Sequence, residues 1–187
     1  QLENDLFIID QHASDEKYNY EQMKNNSDRI IQHQKLLVPK PLELSATDEM
    51  VILQHLEVFE KNGFRFEIND QAKQPGERVK MTQYPFSKNT QFGIDDIHEL
   101  ITMVDHFSAR SQPVEKIRAS KIESMLASRS CRSSIMVGTA LNHAQMSAVV
   151  SHMATLDNPW CCPHGRPTLT HLIHLDQVRQ LEKKQQE

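Results

Sequence analysis

The apolar residues of this 187-residue chain follow two different periodicities, and neither runs through the whole sequence. Short apolar or alternating runs, which are typical of β-strands, occur at 6–9, 64–68, 79–84 and 168–175. Between them, apolar residues recur every three or four positions, as in helices with one buried face. A chain that mixes these patterns is predicted to have an α+β fold.

Helical segments are predicted at about 14–32, 47–62, 95–107, 114–128 and 142–153. Thr47 is the predicted N-cap of the second segment, and Gly63 is its predicted stop. Asn142 and Gln145 have the spacing of a capping box at the start of the last segment. The apolar residues 36–38 come directly before Pro39, which favours an extended conformation.

The amino-acid composition disfavours several classes of function for this chain. Lys and Arg total 21 against 25 for Asp and Glu, a formal charge of −4, so binding of nucleic acid by bulk electrostatics is not favoured. No apolar run reaches the roughly eighteen residues of a transmembrane helix. The odd count of 3 cysteines predicts reduced thiols, for which metal binding outranks disulfides. The chain opens at Gln1 without a signal-peptide pattern, so we expect a fragment of a longer protein.

A first group of chemically capable residues follows the first predicted strand. If a helix begins near His12, then His12 and Glu16 share one face and are able to bind one cation together. Asp10 lies at the corner between strand and helix, where side chains converge. The alternative is a surface helix with scattered charges and an N-terminal Asp.

A second group occupies a loop rich in Pro and Gly. Cys162 and His164 present two zinc-type ligands there, or else form a structural turn with a buried thiol. Cys161 is interpreted as a spare thiol that points elsewhere. Cys131 lies near the end of a helical pattern, where a lone cysteine commonly serves packing.

Taken together, these groups supply one ligand more than a closed tetrahedral zinc site requires. The surplus suits a carboxylate that bridges two ions, and two-metal sites with ions roughly 3.5–4 Å apart cleave phosphodiesters. The five candidate ligands are His12, Glu16, Cys131, Cys162 and His164.

Three segments resemble motifs of the MutL family of mismatch-repair proteins. The first is Asp10-Gln11-His12-Ala13 followed by Glu16 and Glu21, which is similar to DQHA(X)2E(X)4E. The second is Ser130-Cys131-Arg132, with Ser where Ala is usual in eukaryotes. The third, 162–167, matches CPHGRP in full. The order is that of the family, and the segments at 59–64 and 159–160 resemble its eukaryotic Pms-class subunit.

The resemblance implies a latent, metal-dependent endonuclease that nicks one strand of duplex DNA. It assigns the five ligands above to Zn²⁺, one ion or two, with Mn²⁺ or Mg²⁺ as a possible catalytic ion. Asp10 and Glu16 are the predicted catalytic carboxylates. Supporting roles fall to Glu21, Arg132 and Arg166, and either Arg is able to meet a phosphate or to pair with a nearby acid.

The resemblance also implies an architecture and partners. Residues 1–23 and 129–187 would form a sheet-bearing dimerisation and endonuclease subdomain, and 24–128 an inserted external subdomain of helices and strands. The expected partners are an Mlh-class homologue in a heterodimer, duplex DNA bound weakly by this part alone, and a sliding clamp bound through Gln34 and Leu37. The clamp segment could equally be an ordinary strand. The expected location is the nucleus.

Two non-catalytic functions compete with the nicking enzyme. A zinc-stabilised dimerisation module would need only the imidazoles and thiolates, and Asp10 and Glu16 alone argue against it. A pure clamp-docking scaffold would depend on Gln34 and Leu37 and would be indifferent to Glu16.

Overall fold

The computed structural model describes residues 4–72, 74, 76–87 and 90–177. Helices and antiparallel strands are both present, which confirms the α+β prediction. None of the helices in these ranges is long and apolar enough to cross a membrane. In chain order, the elements are β1 (Asp5–Ile9), α1 (Gln11–Asn25), α2 (Ser27–Ile30), β2 (Gln32–Pro41), α3 (Ala46–Gln54), α4 (Leu56–Lys61), β3 (Arg65–Ile68), β4 (Val79–Phe86), α5 (Ile94–Ala109), α6 (Ser120–Ser133), α7 (His143–Met153) and β5 (Leu169–His174).

The chain divides into two compact units. One unit comprises 1–22 and 127–187, and the other comprises 23–126. This division reflects only how compactly the residues pack. The dimerisation and external functions given to the predicted subdomains, 1–23 with 129–187 and 24–128, therefore remain predictions. Residues 178–187 of the first subdomain lie outside the described ranges.

The first unit is built on a two-stranded antiparallel sheet of β1 and β5, in which Ile8 is paired with Thr170. The pairing continues past the strand, because the Asp10 backbone N–H donates to the Thr168 carbonyl at 2.9 Å. The Asp10 side chain then accepts the Ala13 N–H at 2.9 Å, which makes it the N-cap of α1. Helix α1 therefore begins at Gln11, three residues before the predicted start.

The second unit carries a three-stranded antiparallel sheet in the order β2-β4-β3. Strand β2 pairs with β4 at both ends, and the register slips between Lys35 and Lys40. The intervening residues include Pro39, which has no N–H for a ladder bond. Leu37 lies in the same stretch and is fully exposed, at 102%. The core of this unit is formed by side chains including Ile52, Phe59, Phe64, Val79, Ile97, Leu100, Val104, Ile122 and Leu126.

Three predicted helices have different bounds in the structure. The 14–32 segment is interrupted at Asn26, so it forms α1 and α2, and the 47–62 segment is interrupted at His55. The predicted Thr47 cap is wrong, because the Ser45 hydroxyl accepts the Asp48 N–H and starts α3 one residue before Thr47. Helix α6 runs from Ser120 to Ser133 rather than over 114–128. The capping box of Asn142 and Gln145 on α7 is confirmed.

Gly63 ends α4 as predicted. Its φ is 89°, the N–H of Gly63 bonds to the Glu60 carbonyl, and the N–H of Phe64 bonds to the Phe59 carbonyl. This is the bonding of a Schellman motif, which requires a left-handed residue at this position. A Cβ at Gly63 would also lie 2.9 Å from Ile31 Cγ2, so glycine is required for space as well.

Candidate metal centre

Helix α1 supplies the first two candidate ligands. His12 and Glu16 are one helical turn apart, and both are buried, with exposures of 5% and 1%. The Asp10 cap sets where the helix starts and therefore which face these two residues occupy. The sequence predicted their shared face, and the structure places both inward.

The orientation of His12 is fixed by a backbone carbonyl. Its Nδ1 lies 2.7 Å from the carbonyl oxygen of Ile135, which only accepts, so Nδ1 carries the proton. Nε2 is then the free electron-pair donor, 3.6 Å from Cys131 Sγ and 3.9 Å from Glu16 Oε2. A second hydrogen bond of this kind is the usual way in which proteins orient a metal-binding imidazole.

The segment 161–168 is a tight loop that brings a thiol and an imidazole to Glu16. The Cys162 N–H bonds to the Arg166 carbonyl and the Gly165 N–H to the Cys162 carbonyl, both at 2.9 Å. Gly165 has a φ of 81°, which glycine adopts without strain. His164 Nδ1 reaches Glu16 Oε1 at 2.5 Å, so the loop closes on the helix across 148 positions of sequence.

The five predicted ligands therefore converge in two groups that share one residue. The first triad is His12, Glu16 and Cys131, and the second triad is Glu16, Cys162 and His164. Within each triad the candidate ligand atoms lie within 4.8 Å of one another. Glu16 contributes to both, the position that a bridging carboxylate would take.

The donor chemistry of both triads fits zinc. Each combines one imidazole, one thiol and a carboxylate, and these are the groups that bind Zn²⁺ in proteins. Burial raises the pKa of the Cys162 thiol, and the hydrogen bond and negative charge of Glu16 raise it further. At neutral pH that thiol is therefore protonated, and binding of a cation would have to release its proton. Burying the Glu16 carboxylate costs free energy, and a cation bound between these donors would offset that cost.

Asp10 lies outside both triads. Its side chain is exposed, and its Oδ1 caps α1. In the structure Asp10 is an N-terminal capping residue, as in the alternative interpretation. Its catalytic role remains a prediction.

The three predicted supporting residues lie on different segments: Glu21 on α1, Arg132 on α6 and Arg166 in the loop 161–168. Glu21 Oε2 accepts the backbone N–H of Asp157 at 2.9 Å, and Lys17 pairs with Glu21 Oε1 at 3.1 Å. The side chains of Arg132 and Arg166 are both solvent-accessible. Cys161 is exposed, whereas its neighbour Cys162 is buried, so the two thiols differ as expected.

The predicted clamp-binding residues belong to the other unit. Gln34 lies on β2 and is paired with Tyr84 of β4. It lines a cleft of about 650 Å³ together with Phe86 and Phe92. Leu37 stands in the unpaired part of β2 described above.

Sequence reasoning did not identify the partners that hold the ligand segments in place. The Ile135 carbonyl that orients His12 is a backbone group, which no residue pattern reveals. Asp15 accepts the Ile135 N–H at 2.8 Å, and its only sequence signal was its presence on α1. Two histidines without a predicted role also have partners. The ring of His152 stacks on that of Tyr18 with centroids 3.9 Å apart, and His171 Nε2 lies 2.7 Å from Asp5 Oδ1.

Comparison with known proteins shows that this chain is similar to part of several mismatch-repair proteins. The family described as "MutL C terminal dimerisation domain" matches residues 1–141. "DNA mismatch repair protein PMS1" of Saccharomyces cerevisiae is 50% identical over 171 residues, 91% of this chain and 19% of that protein. "Mismatch repair endonuclease PMS2" of Mus musculus is 45% identical over 179 residues, 96% of this chain and 20% of that protein.

The similarity extends to bacteria. "DNA mismatch repair protein MutL" of Bacillus mycoides is 32% identical over 173 residues, 91% of this chain and 25% of that protein. The chain spans about a fifth to a quarter of the length of these curated relatives. With a matching profile over most of its length and a fold that brings the motif residues together, the chain belongs to the MutL C-terminal dimerisation domain family.

Proposed function

We propose that this chain is the C-terminal part of a mismatch-repair endonuclease that nicks one strand of duplex DNA with the help of divalent metal ions. The observation that carries the proposal is the position of Glu16, whose carboxylate belongs to both triads. A closed structural zinc site needs four ligands, and none of them has to be shared with a second ion. A pair of ions, in contrast, uses a shared carboxylate as a bridge. The names of the relatives as endonucleases support the same function.

The ligands would hold the ions as follows. His12 Nε2 and Cys131 face the first position, Cys162 and His164 face the second, and Glu16 lies between. The thiolate and imidazole donors favour Zn²⁺, one ion or two, and Mn²⁺ or Mg²⁺ would need more oxygen ligands, such as water or phosphate. Bound ions would activate a water molecule and neutralise charge on the phosphodiester.

The residues of this chain also explain why such a site would be latent. The formal charge of −4 and the carboxylates of Asp10, Asp15 and Glu16 repel phosphate when no cation is bound. Duplex DNA would therefore bind weakly to this part alone. The remaining four fifths of a protein of the relatives' size would supply stronger DNA contacts.

Removing the metal is expected to abolish nicking reversibly. The full-length protein, stripped with a chelator and dialysed, should leave supercoiled DNA intact, and added Mn²⁺ with traces of Zn²⁺ should restore nicked circles. We expect at least about a hundredfold difference in rate, because ion-assisted charge stabilisation contributes several kcal/mol and each tenfold is ~1.4 kcal/mol. Stripped protein that nicks at the untreated rate would remove the proposal.

The same assay separates the nicking enzyme from its main alternative, a zinc-stabilised dimerisation or clamp-docking module without catalysis. If the protein takes up zinc and forms its dimer but never nicks DNA with any ion, the alternative is correct. The exposed capping Asp10 is compatible with either function, so Asp10→Asn, which keeps the cap acceptor and removes the charge, tests its catalytic role directly.

Dimerisation with an Mlh-class partner is proposed for the β1–β5 sheet. Ile8 is 56% exposed and lies on the face that carries Thr170. Leu172, at the register shift of β5, is 54% exposed. On the other face of the sheet, Val150 and Trp160 line an apolar cleft with Phe7 and are 51% and 65% exposed. Exposed apolar area of this extent typically marks an interface.

Ile8→Glu is expected to weaken the heterodimer strongly while leaving the isolated chain folded. A buried charge without a partner costs several kcal/mol at an interface, which is about a hundredfold or more in affinity. Analytical ultracentrifugation with the Mlh-class partner measures the change, and Val38→Glu, at an exposed apolar position of the other unit, is the matched control. Equal weakening by both variants contradicts the proposed surface.

A sliding clamp is proposed as the partner of the β2 segment. Gln34 lines an open cleft, and Leu37 projects fully into solvent from the stretch of β2 at the register shift between Lys35 and Lys40. An extended segment with a free aliphatic side chain is able to enter an apolar pocket of another protein. Nuclear location is proposed with this partner, since the work of a mismatch-repair protein is on chromosomal DNA.

Gln34→Ala combined with Leu37→Ala is expected to abolish clamp-stimulated nicking and to leave metal-dependent basal nicking unchanged. Neither side chain is buried in the core, so the double variant should melt within a few degrees of the native protein. Nicking assays with and without a clamp loaded on circular DNA make the comparison. Undiminished stimulation would identify the segment as an ordinary strand.

A further inference from the structure

Helix α1 carries polar side chains that bind no candidate ligand but hold the segments on which the ligands lie. We propose that Asp15 and Glu21 are positioning residues, each of which places one triad independently of the other. The inference rests on the proposed function, because it assumes that both triads bind metal.

Asp15 acts on the segment that follows Cys131. Its Oδ2 accepts the Ile135 N–H at 2.8 Å, and the carbonyl of the same residue receives the Nδ1 proton of His12 at 2.7 Å. Ile135 is therefore held on both sides by residues of α1 that are three positions apart. Loss of the Asp15 bond would release the carbonyl that selects the His12 tautomer.

Asn19 extends this attachment to α6. Its Nδ2 lies 3.3 Å from Asp15 Oδ2 and 3.0 Å from Ser134 Oγ, and the Ser134 hydroxyl donates to the Ser130 carbonyl at 2.6 Å. Ser130 and Ser134 are buried, and Cys131 lies between them in the sequence. The same network thus fixes both the imidazole and the thiol of the first triad.

Glu21 acts on the segment that precedes Cys162. Its two carboxylate oxygens accept the N–H groups of Asp157 and Asn158, at 2.9 and 3.4 Å, and Lys17 neutralises its charge at 3.1 Å. The side chains of Lys17 and Glu21 are each only 13% exposed, so the pair is sheltered. A shift of 157–158 would be transmitted to the loop of the second triad four residues later.

The two attachments share no side chain. Asp15 and Asn19 contact 134–135, and Glu21 and Lys17 contact 157–158. A general loss of stability would weaken both triads together. Independent positioning instead predicts that each variant weakens one triad, and this difference is measurable because each triad contains its own cysteine.

The experiment measures zinc protection of individual thiols in the full-length protein. Samples are alkylated with iodoacetamide over a series of free Zn²⁺ concentrations, and mass spectrometry follows Cys131 and Cys162 separately. Each thiol is compared with its own rate without zinc, and exposed Cys161 serves as the internal reference. Native protein in which neither Cys131 nor Cys162 is protected would refute the proposed function itself, before any variant is considered.

Asp15→Ala is expected to raise the zinc concentration for half-protection of Cys131 by about tenfold or more, the usual effect of losing an outer-shell partner, with a change well under tenfold at Cys162. Glu21→Ala is expected to do the reverse. Asp15→Asn and Glu21→Gln keep an oxygen acceptor and should restore most of the native values. Asn19→Ala, which leaves the Asp15 bond intact, should give a smaller shift at Cys131 alone.

Equal shifts at both thiols for Asp15→Ala or Glu21→Ala would overturn the inference and indicate a general structural role. The same conclusion would follow if neither variant changed either midpoint. Amide variants as damaging as the alanine variants would also overturn it, because charge rather than hydrogen-bond geometry would then be responsible.

Discussion

Glu16→Gln is expected to reduce metal-dependent nicking by about a hundred- to a thousandfold, because the amide cannot bridge two cations and each tenfold corresponds to ~1.4 kcal/mol of barrier. Glu16 is 1% exposed and is the only residue common to both triads in the described part of the chain. Gln has nearly the same shape and keeps an acceptor toward His164. The loss should therefore be one of activity rather than of folding.

Nicking of supercoiled DNA with Mn²⁺ measures this effect, and a thermal melt of the same sample checks the fold. Glu67→Gln makes the identical chemical change on an exposed carboxylate of β3 and should leave both readings unchanged. If Glu16→Gln is folded and nicks at the native rate, then the shared carboxylate is not part of the catalytic centre. In that case the zinc-stabilised module becomes the better account.

Asn62→Ala is expected to destabilise the 23–126 unit by about 1–3 kcal/mol, because the buried Ala119 N–H loses its partner while the Ile117 carbonyl keeps Arg118 Nη1 at 2.8 Å. Asn62 is fully buried at the end of α4. Its Nδ2 donates to the Ile117 carbonyl at 3.0 Å, and its Oδ1 accepts the Ala119 N–H at 2.9 Å. One side chain thus ties the segment before α6 to the end of α4.

Native-state hydrogen exchange measures this change in the unit concerned, with the Ala119 amide as the most direct reporter. Asn25→Ala, at the exposed end of α1, is the matched control and should stay within about 0.5 kcal/mol of the native protein. Unaltered protection of Ala119 and its neighbours in the Asn62 variant would contradict the hydrogen-bonding role given to this side chain.

The sequence predicted those parts of the fold that depend on local patterns. The positions of β1, β3, β4 and β5, the Gly63 stop and the Asn142 capping box all follow from the chemistry of a few consecutive residues. The break at His55 did not, because the apolar spacing on either side of it continues as in one helix. Ser45 and Thr47 are both able to cap, and only the path of the chain decides which hydroxyl reaches the Asp48 N–H.

The candidate site was predictable to a different extent. The spacing of His12 and Glu16 indicated a shared helix face, but nothing local connects them with Cys131 or with the loop at 162–164. Resemblance to a family supplied that connection, and the structure brings the five groups together. Contacts through backbone atoms, such as those of Ile135 and Asp157, are invisible to residue patterns because any amino acid presents the same N–H and carbonyl.

The long separation between Glu16 and His164 has a consequence for the life of the protein in the cell. A nascent polypeptide emerging from the ribosome contains the helix with its acidic group well before the loop that completes the second triad. Until Cys162 and His164 are synthesised, the proposed metal centre is unable to assemble, so shorter translation products would lack the proposed nicking activity. A premature stop codon between those for Glu16 and Cys162 would accordingly leave α1 in place but remove the second triad, and with it the proposed nuclease activity.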